Sequence, residues 1–158
     1  MMRLKNLCLI LFLVAGTLHS LATFYWSFGG ELGLLTVGQW TLDLKSKYGS
    51  LVLFILFILG IFKLSATWMP LLLVYKTNKF LMFISYIGAI ILILHGGLNA
   101  FVGWLKFLNL LPRQYIPSEI GQAFIWDPLF LIWGLSLLIF LNLNNNKRTF
   151  NLKFNNFK

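Results

Sequence analysis

Charged side chains are scarce in this chain. They account for 11% of its 158 residues, where soluble domains average about 25%. Acidic residues are scarcer still, with 4 Asp and Glu beside 13 Lys and Arg. The single cysteine, Cys8, excludes an internal disulfide and a cysteine-rich metal site. It reads as a small apolar residue inside a span. The sequence contains no phosphate-cradling glycine loop, zinc motif or GxSxG elbow, so familiar soluble-enzyme chemistry has no foothold.

Apolar residues fill the space left by the charges. They make up 59% of the chain, and the mean hydropathy is +0.82. A soluble fold of this length cannot hide so much Leu, Ile and Phe, so lipid is the expected solvent. The formal net charge of +9 does not point to nucleic acid. The basic residues sit in short clusters between apolar runs, without a basic stripe or an aromatic-basic module. Such clusters orient membrane proteins and attract anionic lipid.

Residues 7–28 and 80–105 are apolar runs without formal charge, while residues 48–74 are interrupted by Lys63 and residues 123–143 carry Asp127. At about 1.5 Å per residue, each is long enough for a hydrocarbon core of roughly 30 Å. Isolated strands cannot satisfy their backbone in lipid. The predicted fold is therefore all-α: a polytopic integral membrane protein with four transmembrane helices in a compact bundle. The spans fall at about 5–28, 48–74, 80–105 and 123–143, forming one domain over residues 1–143, followed by a basic, Asn-rich tail at 144–158. Arg3 and Lys5 ahead of an apolar stretch also resemble a signal peptide, with Ser20-Leu21-Ala22 as a cleavage site. The run continues through Phe24, Tyr25, Trp26 and Phe28, which favours a retained helix.

Lys and Arg in short loops set direction. Arg3, Lys5, Lys76, Lys79, Lys147, Arg148, Lys153 and Lys158 gather on one side. Lys45, Lys47, Lys106 and Arg113 lie on the other, together with Glu31, Asp43, Glu119 and Asp127. This predicts a multi-pass protein of the cell membrane with both termini cytoplasmic. Thr77-Asn78 forms the core of a tight cytoplasmic turn. The outer segments, 29–47 and 106–122, are longer, and the first has an amphipathic pattern suited to the interface. Tyr25, Trp26, Trp40, Trp104, Tyr115 and Trp126 fit an outer aromatic belt.

Ionisable groups within spans are costly and are functional candidates by default. His19 and His95 would each sit roughly 22 Å in from the cytoplasmic side, counting from Leu4 and Phe80. Two histidines at matched depth could ligate a haem iron, or each could hydrogen-bond a neighbouring helix. A weak internal echo accompanies them, Leu18-His19 before Trp26 and Leu94-His95 before Trp104. Asn99 lies one turn after His95 and could share its face. Lys63 either snorkels to the inner interface or meets a lipid headgroup or other anion at a separate inner location. Asp127-Pro128 has the form of a helix start, with Asp as cap and Pro at the first helical position.

Three segments carry a family resemblance. Tyr25-Trp26-Ser27-Phe28-Gly29-Gly30, followed by Gly33-Leu34, resembles the aromatic–Trp–x–x–Gly–Gly signature that closes the first helix of the DUF3995 family. Phe101-Val102-Gly103-Trp104-Leu105-Lys106 resembles its segment at the end of the third helix. Trp126-Asp127-Pro128-Leu129-Phe130-Leu131-Ile132-Trp133-Gly134 resembles its closing Asp…Pro-Leu motif on the fourth helix. The resemblance implies a bacterial four-helix membrane protein without an established activity. The family often has His three residues before the Trp, where this chain has Thr23, and a basic residue midway along the third helix, where this chain has His95. Glu31 stands where a basic residue is common.

The leading expectation is a non-catalytic bundle that binds a lipid, a small hydrophobic ligand or a membrane partner, as a monomer or a homo-oligomer. One alternative is a redox component binding haem or quinone through His19 and His95; no other metal is implied. A second is a small oligomeric transporter. If an outward-facing site exists, Trp26, Glu31 and Asp127 form its rim, with His19, His95 and Asn99 deeper.

Overall fold

The computed structural model describes residues 2–113 and 115–155, with side chains through Asn145. Four helices are long and apolar enough to cross a membrane: α1 (Met2–Ser27), α3 (Ser50–Tyr75), α4 (Lys79–Phe107) and α5 (Ile116–Asn145). A shorter helix, α2 (Gln39–Tyr48), lies between the first two. Among the described residues there are no strands. The predicted all-α, polytopic architecture is the observed one. The helical backbone of α5 continues to Asn155. The side chains of Lys147, Arg148, Lys153 and Lys158, assigned above to a basic tail, lie outside the described residues.

Local sequence explains most boundaries. α1 stops at Gly29, whose φ of 91° is open to glycine and strained for other residues. Pro70 cannot donate a backbone hydrogen bond, and the helix of α3 tightens into a 3-10 turn at Met69–Leu71 before its last turn at Leu72–Tyr75. The expected tight turn follows, and the Asn78 side chain accepts a hydrogen bond from Leu81 N at 3.0 Å to cap α4.

The start of α5 differs from expectation. The spanning helix as a whole begins at Ile116, with Pro117 in its first turn, and Asp127-Pro128 stand in the first turn of the regular α-helix that resumes at Trp126. Pro128 lies inside the helix, where its missing N–H leaves a carbonyl of the preceding turn without its donor. A π-helical turn at Gly121–Ile125 immediately precedes it, a distortion that absorbs such a mismatch. Asp127 is thereby freed from capping and stands inside the bundle, 6% exposed.

The helices do not pack symmetrically. α1 packs on both α3 and α5, and α5 packs on both α1 and α4. Between α1 and α5 lies the core, where Cys8, Phe12, Ala15, Trp133, Leu137 and Phe140 are buried. Lipid tails are as apolar as these side chains, so close packing rather than water exclusion holds the seam. Gly96 shows how close the approach of α4 to α5 is. A Cβ there would stand 2.5 Å from the Asp127 carbonyl oxygen and 2.6 Å from Leu131 N. At the end that carries the termini, Lys5 donates to Asn144 Oδ1 at 2.7 Å, and Asn144 donates to Leu73 O at 2.9 Å. These bonds tie α1, α3 and α5 together.

By contrast, α3 and α4 converge only near the turn joining them, where Met69–Leu71 packs on α4. Their other faces are largely unburied: only 11% of the most apolar stretch of α3 and 22% of that of α4 are buried, against 39% for α1 and α5. The result is a cleft, walled by α3 and α4 and floored by α1 and α5.

Candidate functional site

The cleft has two chambers. The first, of about 360 Å³, lies towards the interhelical loops, and the second, of about 460 Å³, lies towards the termini. Both volumes fall in the range of roughly 300–1,000 Å³ typical of small-molecule sites. Leu59, Lys63 and Phe130 line both chambers and mark their junction.

The first chamber holds the polar groups of the cleft, set in a largely apolar wall, because spaced residues on three helices face it. His19, Thr23 and Trp26 recur at helical spacing on α1; His95 and Asn99 are one turn apart on α4; Asp127 and Phe130 are one turn apart on α5. Asn99 Nδ2 donates to Asp127 Oδ1 at 3.2 Å, and His95 Nε2 stands 3.7 Å from the same oxygen. On the opposite wall, Lys63 Nζ donates to Thr23 Oγ1 at 3.0 Å and stands 3.3 Å from His19 Nδ1. An ammonium can only donate, so Nδ1 is assigned as acceptor and the ring hydrogen to Nε2. That nitrogen is buried with no hydrogen-bond partner among the described residues. The Phe130 ring lies against His19 at a tilt of 34° with centroids 3.9 Å apart, meets His95 edge-on at 5.3 Å, and lies under the Lys63 ammonium at 5.6 Å.

The loops close this chamber from above. Trp126 Nε1 donates to Thr36 Oγ1 at 2.8 Å, which pins the 3-10 turn Leu34–Thr36 onto α5. Trp26 Nε1 donates to Leu32 O at 3.0 Å, and its ring meets Trp126 edge-on at 4.9 Å. From α2, Trp40, Thr41, Leu44 and Lys45 contribute to the lining.

Of the residues singled out in the sequence, His19, Trp26, His95, Asn99 and Asp127 come together in this chamber, and Glu31 does not. Glu31 is 68% exposed and pairs with Lys45 at 2.7 Å. The hydrogen bond from Lys45, and then its charge, hold the Glu31 carboxyl below its usual value of 4.5. Lys63 also departs from expectation, because it does not occupy a separate inner location. Its stem turns toward α1, where Thr23 and His19 offer acceptors that the lipid-facing side lacks. The repeated Leu-His pattern has no structural counterpart, since His19 is 4% exposed whereas the His95 side chain is 55% exposed.

Sequence reading missed Thr23, Lys45 and Phe130 as members of the site. Thr23 was legible from its spacing to His19 and Trp26. Phe130 lies within the segment that resembles the family's fourth-helix motif, but nothing in the sequence marks it, among 16 phenylalanines, as the one facing both histidines.

The second chamber is lined mainly by aliphatic and aromatic side chains, including Phe62, Ile84, Ile91 and Trp133. Gly88 leaves part of this wall bare, and a Cβ placed there would meet nothing within 4 Å.

Four helices long and apolar enough to cross a membrane, with a cleft open between two of them, define a multi-pass membrane protein with a lateral cavity. Residues 16–137 match the family described as "Protein of unknown function (DUF3995)", and the chain belongs to that family. The matched segment contains every residue named above that lines the cleft. No curated protein and no solved structure matches the chain.

Proposed function

We propose that this protein is a non-catalytic membrane module that takes an amphiphilic, lipid-like molecule into the cleft between α3 and α4. One observation carries the reading: a chamber with a cluster of polar groups set in an apolar wall and an almost wholly apolar chamber adjoin at Lys63, on a side of the bundle where two helices fail to pack. A head group would sit in the first chamber and a chain in the second, entering sideways from the bilayer. The hydroxyl beside Lys63, that of Thr23, donates its proton to the His19 carbonyl at 3.0 Å and accepts from the ammonium, so it is not set up as an activated nucleophile, which supports binding rather than turnover. A bis-histidine haem fits less well. Phe130 contacts both imidazoles and would have to leave for one iron to bridge them, and His19 Nδ1 already faces a cation.

In this reading the protein lies in the cell membrane with both termini cytoplasmic. The basic residues Arg3, Lys5, Lys76 and Lys79 on that side support the orientation and contact with anionic lipid. The first chamber then opens near the outer face.

Gly88→Leu tests the cleft. Its side chain would enter open space in the second chamber, and Leu favours helix over Gly by about 0.5–1 kcal/mol. The variant should fold as well as the parent and lose binding of dibromostearyl alcohol, read as quenching of tryptophan fluorescence by the brominated chain. Equal quenching in both proteins would overturn the reading.

A further inference from the structure

Resting on that reading, we infer that the head group is anionic, a carboxylate or phosphate on a single chain, bound by the Lys63 ammonium at the junction of the two chambers. Lys63 is a cation within a membrane span. Among the described residues, no carboxylate lies within ion-pair distance of it. Its partners are neutral: a hydroxyl, an imidazole nitrogen and the face of Phe130. A lone charge at low dielectric is costly unless an opposite charge accompanies it. A neutral acceptor such as an alcohol or a quinone carbonyl could accept a hydrogen bond but could not supply that charge.

Geometry supports the same occupant. An ammonium has three N–H donors. Two are directed at Thr23 and His19, and one remains. The carboxylate of the first chamber, Asp127, is engaged by Asn99 and faces His95 rather than Lys63. Immediately beyond Lys63 the wall becomes almost wholly apolar, with Leu59, Phe62, Ile91 and Trp133 able to flank a chain. A free inorganic anion would satisfy the ammonium and leave this second chamber unused. An amphiphile with an acidic head uses both.

The experiment uses the full chain in a neutral detergent at neutral pH. The probes are dibromostearate, the corresponding alcohol and the corresponding trimethylammonium compound, with Trp133 and its neighbours as reporters. Acetate and inorganic phosphate serve as competitors without a chain. Dibromostearate should quench with a dissociation constant lower by about tenfold or more than the alcohol, as a charge-assisted contact implies. Lys63→Met should abolish that difference while the alcohol still binds, and Lys63→Arg should preserve it. The trimethylammonium compound should bind weakest.

Equal affinities for acid and alcohol would overturn the anionic head and leave the cleft reading standing. Displacement of dibromostearate by acetate or phosphate at similar concentration would assign Lys63 to small anions and overturn the amphiphile. Quenching by none of the chains would bring down the cleft reading itself.

Discussion

Gly88 and Gly96 stand two turns apart on α4 and face different environments. At Gly96 an added Cβ meets the backbone of α5, while at Gly88 it meets nothing. The first belongs to a seam where two helices interlock, and the second to a cleft where α3 and α4 part. The same residue type is therefore a packing requirement on one side of the bundle and an opening on the other. Membrane helices associate through such close approaches. A region that forgoes them inside an otherwise packed bundle is available for a ligand.

The contrast can be broken most severely at the seam. Gly96→Ala should destabilise the protein by about 1–3 kcal/mol, because the obstructing atoms are backbone and cannot rotate away. Thermal unfolding in detergent should show a clear fall in Tm, whereas Gly88→Leu should leave Tm unchanged or raised. A similar fall in both would mean that the cleft closes against Gly88.

A smaller effect is expected where the seam borders the first chamber. Asn99→Leu removes the hydrogen bond to Asp127 at 3.2 Å. The loss should be about 1.5 kcal/mol, the lower end of what a hydrogen bond to a carboxylate contributes. Combined with Asp127→Asn, it should cost less than the sum of the two single changes, since the residues share one contact. Strict additivity would show that they act separately.

The smallest effect belongs to the loop surface. Glu31→Gln removes the pairing with Lys45, and exposed pairs contribute little. Tm should barely move. The pH dependence has a definite sign. The folded carboxyl titrates below the usual 4.5, so its contribution is present above that value and lost as pH falls through the lowered one. Parent and Glu31→Gln should therefore converge in acid. A gap that widens as pH falls would contradict the pairing.

Much of this arrangement is legible along the chain. The four apolar runs specify the spans because a bilayer leaves helices as the economical way to satisfy a backbone. Thr77-Asn78 marks a turn by its own capping chemistry. The spacing of His95 to Asn99, and of His19 to Thr23 and Trp26, places each group on one helical face. Asp127-Pro128 misleads, because the residues read as a cap lie inside a helix that a π-turn adjusts around the proline.

Periodicity states which residues share a face of one helix and is silent about which helix that face meets. The meeting of Lys63 with His19 spans 44 positions of sequence, and a snorkelling lysine and one turned into the bundle read alike. The parting of α3 from α4 is equally invisible, since both are uniformly apolar and lipid would cover either face without penalty. Composition and local chemistry thus determined a four-helix membrane protein of this family. Only the packing of α1 and α5 at the centre decided that two lysines, two histidines and a carboxylate would face a common cavity.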